Sequence, residues 1–182
     1  MKRKAFTMIE LLVVIGVIAI LLSLMLPALF AHMEGARIQE MQDHLKVIEA
    51  ALAQYHGAFG DYPPSPGDGT NSGSESLLAC LRTQEVGGPF IEERLIRSWV
   101  GDSDGDGEPE LIDPWQNPWV YFHPSDYTRG AVEYKVKGKA IPVSPCKKGD
   151  VYKNLTSYQL WACGPNQSSE AGQGDDAGNL ER

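Results

Sequence analysis

Residues 2–30 read KRKAFTMIELLVVIGVIAILLSLMLPALF, an apolar run preceded by Lys2, Arg3 and Lys4 and interrupted near its start by a single acid, Glu10. Leu11 to Ala31 carry no charge, and at about 1.5 Å per residue they reach roughly 31 Å, close to the hydrocarbon thickness of a bilayer. The basic cluster ahead of this span predicts a cytoplasmic N-terminus, with everything after about Arg37 outside. A cleaved secretory signal has a shorter apolar region and a small-x-small site at its far end. Ala28 to Ala36 offers such a pattern, but that reading gives Glu10 no purpose. A carboxylate at membrane depth is costly unless it meets a cation, so Glu10 predicts a positively charged partner. Pro27, further along the same helical stretch, removes one backbone hydrogen bond and predicts a bend.

The remaining sequence has room for one modest domain in a chain of 182 residues. With 16 basic against 24 acidic residues and a formal charge of -8, there is no broad basic footprint, which excludes nucleic acid as a partner. Beyond the kink, Ile38, Met41, Leu45, Ile48, Leu52 and Tyr55 follow 3-4 spacing, giving one apolar stripe opposed by Glu40, Gln42, Asp43, Lys46 and Glu49. His32, His44 and His56 are read as surface or rim positions of this helix. Gly57, Gly60, Pro63 and Pro64 stop it. The segments ESLLACLR and FIEERLIRSWV predict one or two short helices. PWVYFHP, AVEYKVKGK and SYQLWAC predict three strands, enough for a small antiparallel sheet that buries the stripe on one face. The fold class expected is α+β: a long N-terminal helix, membrane-spanning in its first half, packed on a small antiparallel β-sheet head.

DSDGDGEPELID, residues 102–113, has the spacing of a calcium loop. Asp102, Asp104 and Asp106 fall at positions 1, 3 and 5, Gly107 permits the turn, Glu108 offers its carbonyl, and Asp113 closes position 12. Oxygen ligands at this spacing suit a hard cation, so structural Ca2+ is the expected cofactor, against a solvated acidic turn as the bland reading. Pro114 directly after Asp113 argues against an exiting helix and for a lone structural loop.

Taken together, KAFTMIELLVVIGVIAIL resembles the processing signal of type IV pilins and of the pseudopilins of type II secretion systems. DPWQNPWVYF, with Asp113, Pro114, Trp115, Asn117 and Pro118, resembles a stretch of the major pseudopilin and points to the secretion branch. The resemblance implies a leader, residues 1–5, cut by a prepilin peptidase between Ala5 and Phe6, and methylation of the new amine. The family prefers Gly before the cut, where this chain has Ala5. It further implies a transmembrane and assembly helix over 6–31, a helix spine over 32–56 and a periplasmic head over 57–182. Glu10 then neutralises the amine of a neighbouring subunit, and Pro27 is the place where the helix bends as the subunit leaves the inner membrane. The implied partners are the membrane, other pseudopilin subunits in a homo-oligomeric filament, and an inner-membrane assembly platform. Rival readings are a type IV pilin of a pilus for adhesion, motility or DNA uptake, and an unprocessed anchor displaying a calcium-binding domain.

By the same resemblance the tail, GQGDDAGN, corresponds to a calcium-binding C-terminal loop, with Asp175 and Asp176 as ligands and Gly178 where the family places another acid. Three cysteines leave one over in an oxidising compartment. Cys146 and Cys163 flank strand-like segments and are the pair expected to form a disulfide, with Cys80 a core thiol on an apolar helix face. No G-x-S-x-G or comparable nucleophile motif appears, so no catalysis is expected.

Overall fold

A computed structural model describes residues 7–170, 172 and 174–181. The expected cleavage point, Ala5 and Phe6, lies outside the described residues. Helix α1 spans Met8–Phe59 and contains Pro27. The chain forms two compact units, residues 1–36 and 37–182, and α1 contributes to both.

In the first unit every described residue from Thr7 to Met33 is exposed, although the sequence there is almost wholly apolar. By length and composition this stretch of α1 is able to cross a membrane.

The second unit is organised around two strands. β3 (Val120–Phe122) pairs antiparallel with β8 (Gln159–Ala162), and β9 (Ala177–Gly178) adds to the far side of β8. Side chains alternate across a strand, and here both faces are covered. Tyr121, Leu160 and Ala162 point into a cluster with Met41, Ile48, Ala51 and Leu52 of α1 and with Leu77, Leu78 and Leu81 of α2 (Ser72–Arg82). Val120, Phe122 and Trp161 point the other way, into a cluster with Tyr134, Val136 and Val143. Sheet β3-β8-β9 is therefore the middle layer, and the α1 stripe read from the sequence is its helical cover.

Three departures from the sequence reading follow from tertiary context. AVEYKVKGK does not join the central sheet. It gives β4 (Val132–Val136), which turns at Lys137 and Gly138 into β5 (Lys139–Val143) and forms a hairpin of its own. His44 is 3% exposed rather than at the surface, stacked on Trp99 with ring centroids 3.6 Å apart, and burial drives its imidazole down to about 4. It stays neutral at physiological pH. No disulfide joins Cys146 to Cys163. Both sulfurs lie in the second cluster but turn to different neighbours: Cys146 Sγ lies 3.9 Å from Lys147 O, while the Cys163 thiol faces the Ser169 hydroxyl.

The short helix α3 (Glu93–Ile96) leads into β1 (Val100–Gly101), which pairs antiparallel with β2 (Glu110–Leu111). A second small hairpin, β6 (Lys147–Lys148) with β7 (Val151–Tyr152), precedes β8. The class is α+β, a long apolar N-terminal helix followed by small antiparallel sheets.

Candidate functional site

Thr7 is the residue before the first turn of α1, and Glu10 stands three positions on. Thr7 N and Oγ1 both donate to Glu10 Oε2, at 2.9 and 2.7 Å, while Glu10 N donates to Thr7 Oγ1 at 3.3 Å. This reciprocal pattern is a capping box, which satisfies amides at the helix start that have no intrahelical partner. The sequence signal for it is the T-x-x-E spacing of Thr7 and Glu10. Glu10 thus has a structural partner through one oxygen while standing at the head of an exposed apolar surface.

The loop 102–109 joins β1 to β2, so it is the tip of a hairpin and not the joint between two helices. Asp102 Oδ1 and Oδ2 accept from Gly105 N (2.6 Å) and Gly107 N (3.1 Å), and Asp106 Oδ1 accepts from Glu108 N (2.8 Å). Gly105 and Gly107 have φ of 85° and 96°, a region that non-glycine residues rarely adopt. The turn brings Asp102, Asp104 and Asp106 together, with one carboxylate oxygen from each within 4.8 Å of the others. Glu108 is exposed.

Asp113 is placed elsewhere in function. Its Oδ1 accepts from Trp115 N and Asn117 N, both at 2.9 Å, and its own amide donates to Asn117 O at 2.8 Å. The carboxylate shapes the DPWQNP turn, is 1% exposed, and burial pushes it up to about 6.

Two acids that the spacing argument did not single out join Asp104 instead. Glu75, in the first turn of α2, and Glu110, in β2, each bring a carboxylate oxygen within 4.8 Å of one on Asp104 and of each other. Glu110 Oε1 accepts from Ser103 N at 2.8 Å, from the Ser103 hydroxyl and from Asn71 Nδ2 at 3.1 Å. Its Oε2 and Glu75 Oε1 are buried without a hydrogen-bond partner. Burial raises Glu110 and Asp104 above the usual carboxylate range and, with the surrounding acids Asp106, Asp104 and Glu110, takes Glu75 to about 7. Glu75 and Glu110 are 35 positions apart in sequence, and no local pattern connects them.

The tail residues are engaged in making turns. Asp175 accepts from Asn166 N at 2.8 Å and from the Asn166 side chain, and Asp176 Oδ2 accepts from Glu170 N (2.7 Å) and Gly172 N (2.9 Å). A Cβ at Gly178 would meet Leu160 O at 2.3 Å, so β9 leaves no space for an acid at that position. Among the described residues Asp175 and Asp176 belong to no group of three carboxylates able to share an ion. Asp176 Oδ1 is buried without a hydrogen-bond partner, while the position of the further acid is taken by Gly178.

One Ser–His–Asp contact does occur. His123 Nδ1 lies 2.7 Å from Ser125 Oγ and Nε2 lies 2.9 Å from Asp61 Oδ1. Ser125 N also donates to Nδ1, at 3.2 Å, which makes His123 the cap of the 3₁₀ turn Pro124–Asp126. The Ser125 leg is a local cap two residues long, and the Asp61 leg is a long-range contact to an exposed carboxylate 62 positions away.

Comparison with known proteins agrees with the N-terminal geometry. Residues 1–26 match the model of the prokaryotic N-terminal methylation motif. The chain is 29% identical over 126 residues to type II secretion system core protein G of Escherichia coli K12, covering 69% of this chain and 76% of that protein. The protein of the same name from Pseudomonas aeruginosa is 28% identical over 123 residues, covering 68% and 75%. That from Klebsiella pneumoniae is 28% identical over 119 residues, covering 65% and 81%. No solved structure gives a significant match. The methylation motif, the apolar helix able to cross a membrane and the antiparallel head together fit a type IV pilin-like architecture. Within that architecture the chain is similar, at 28–29% identity, to the core protein G of type II secretion systems.

Proposed function

We propose that the chain is a structural subunit of a type II secretion pseudopilus. A prepilin peptidase removes residues 1–5, the Phe6 amine is methylated, and the subunit waits in the inner membrane with its N-terminus cytoplasmic and its head periplasmic. An assembly platform then draws it into a helical filament of like subunits. The observation that carries this reading is the run of exposed apolar side chains from Met8 to Phe30 with Glu10 at its head. In a bilayer that surface is solvated by lipid, and in a filament it is buried against neighbouring copies. Heterologous contacts that do not close into a ring produce a filament from one repeated interface. The work is done by assembly, with no bond made or broken by the head.

Co-expression with a type II secretion assembly platform tests it. The chain is expected in filaments sheared from the cells and pelleted by ultracentrifugation. Retention of the whole population in the membrane fraction, with a related pseudopilin assembling in parallel, would contradict the reading.

A further inference from the structure

We infer that Glu75, Asp104 and Glu110 form a calcium site that fastens the N-terminal turn of α2 to the β1–β2 hairpin. Three carboxylates from three separate elements converge there. Glu110 has no exposed surface, and its Oε2 is buried without a hydrogen-bond partner, as is Glu75 Oε1. Among the described residues none of the three has an ion-pair partner. The nearest ammonium in the hydrogen-bond network, Lys135 Nζ, donates at 3.2 Å to the backbone carbonyl of Asp104 and not to a carboxylate. A buried carboxylate without a partner is unfavourable while charged and is answered by a proton or by a cation. Three carboxylates whose oxygens converge within 4.8 Å offer a cation a shared set of ligands that single protons do not use.

The donor set fixes the kind of cation. Only oxygens are present, which suits a hard ion, and ligands drawn from a helix, a turn and a strand suit the flexible coordination of calcium better than the strict octahedron of magnesium. The Asp102–Gly107 turn serves as the scaffold that presents Asp104: Asp102 and Asp106 accept from the turn's amides at 2.6–3.1 Å, while Asp104 accepts only a long 3.4 Å contact from Asp106 N. The site is separate from the tail residues Asp175 and Asp176. The inference does not depend on filament assembly and is tested without it.

The test uses the full-length chain in detergent micelles, stripped with chelator, with CaCl2 and MgCl2 added in separate titrations followed by thermal denaturation and calorimetry. A ligand bound only by the folded state raises Tm with concentration. Calcium is expected to raise Tm with an apparent dissociation constant of about 10⁻⁴ to 10⁻³ M, as in extracellular calcium modules. Glu75→Gln should weaken that affinity by about tenfold or more, as removing one ligand charge does. Asp175→Asn should leave it unchanged. Glu110→Gln should lose the calcium response, and if that variant does not fold, Glu75→Gln decides alone. No calcium-dependent shift in the parent chain, an equal shift with magnesium, or a shift that survives Glu75→Gln while Asp106→Asn abolishes it would each overturn the inference.

Discussion

Thr7 and Glu10 hold each other across the first turn of α1, Thr7 N donating to Glu10 Oε2 at 2.9 Å and Glu10 N to Thr7 Oγ1 at 3.3 Å. Both Thr7 donors use the same carboxylate oxygen. Glu10 is thereby held by the helix start that it helps to build, and the contact with a neighbouring subunit that we propose for it would use a carboxylate already oriented in this way.

Glu10→Leu is expected to leave membrane insertion intact, because it lengthens the apolar run, and to remove the chain from sheared filaments. Thr7→Ala keeps the charge but opens the capping box, and should lower filament yield without abolishing it. Fractionation followed by immunoblotting measures both. Wild-type filament yield from Glu10→Leu would show that the carboxylate plays no part in packing.

Leu52 and Leu21 lie on the same helix, yet Leu52 is fully buried in the head and Leu21 is 54% exposed. Leu52→Ala should destabilise the head by about 2–5 kcal/mol, the usual range for emptying a core site. Leu21→Ala should leave head unfolding unchanged in micelles. Equal effects on the denaturation midpoint would contradict the division of α1 between the two units.

Asp113 carries a pH dependence whose sign follows from burial. Its carboxyl is raised from 3.8 to about 6, chiefly by desolvation, against the lowering effect of the Asn117 and Trp115 amides. The folded state therefore holds the proton more tightly than the unfolded chain. This contribution to stability is fully present below about 3.8 and is lost as pH rises through about 6. Asp113→Asn keeps an acceptor for both amides and removes the titration. In calcium-free buffer the variant should gain stability relative to the parent as pH rises from about 4 to 7, and parallel Tm profiles would refute this.

Gly178→Asp restores the acid that the tail resemblance calls for, yet the structure offers no room for it. Its Cβ would meet Leu160 O at 2.3 Å, a backbone atom of the central strand. The substitution should cost about 1–3 kcal/mol, as overpacking does, and should add no calcium response. A calorimetric titration showing a new calcium site in this variant would mean that β9 moves readily.

Much of this architecture was legible because it is local. The apolar run, the 3-4 stripe ending in Leu52 and Tyr55, and the aromatic strand VYF each declare their structure within a few residues. His44 was legible too: it lies three residues after Met41 and four before Ile48, on the stripe itself, and its polarity concealed that placement. β5 was obscured by Pro142 inside KAIPV, which sits in a two-stranded hairpin where the missing amide is tolerated. β9 is two residues long and small, and carries no strand signal. The grouping of Glu75 with Glu110 arises only when α2 packs beside the β1–β2 hairpin, so spacing led instead to Glu108 and Asp113.

The most direct test of the central claim is the intact mass of the protein extracted from the membranes of its own host. The account predicts a chain lacking Met1 to Ala5 and carrying one added methyl group on the Phe6 amine. A full-length, unmethylated mass in cells that process other prepilins would contradict it, and would leave the chain an unprocessed membrane anchor.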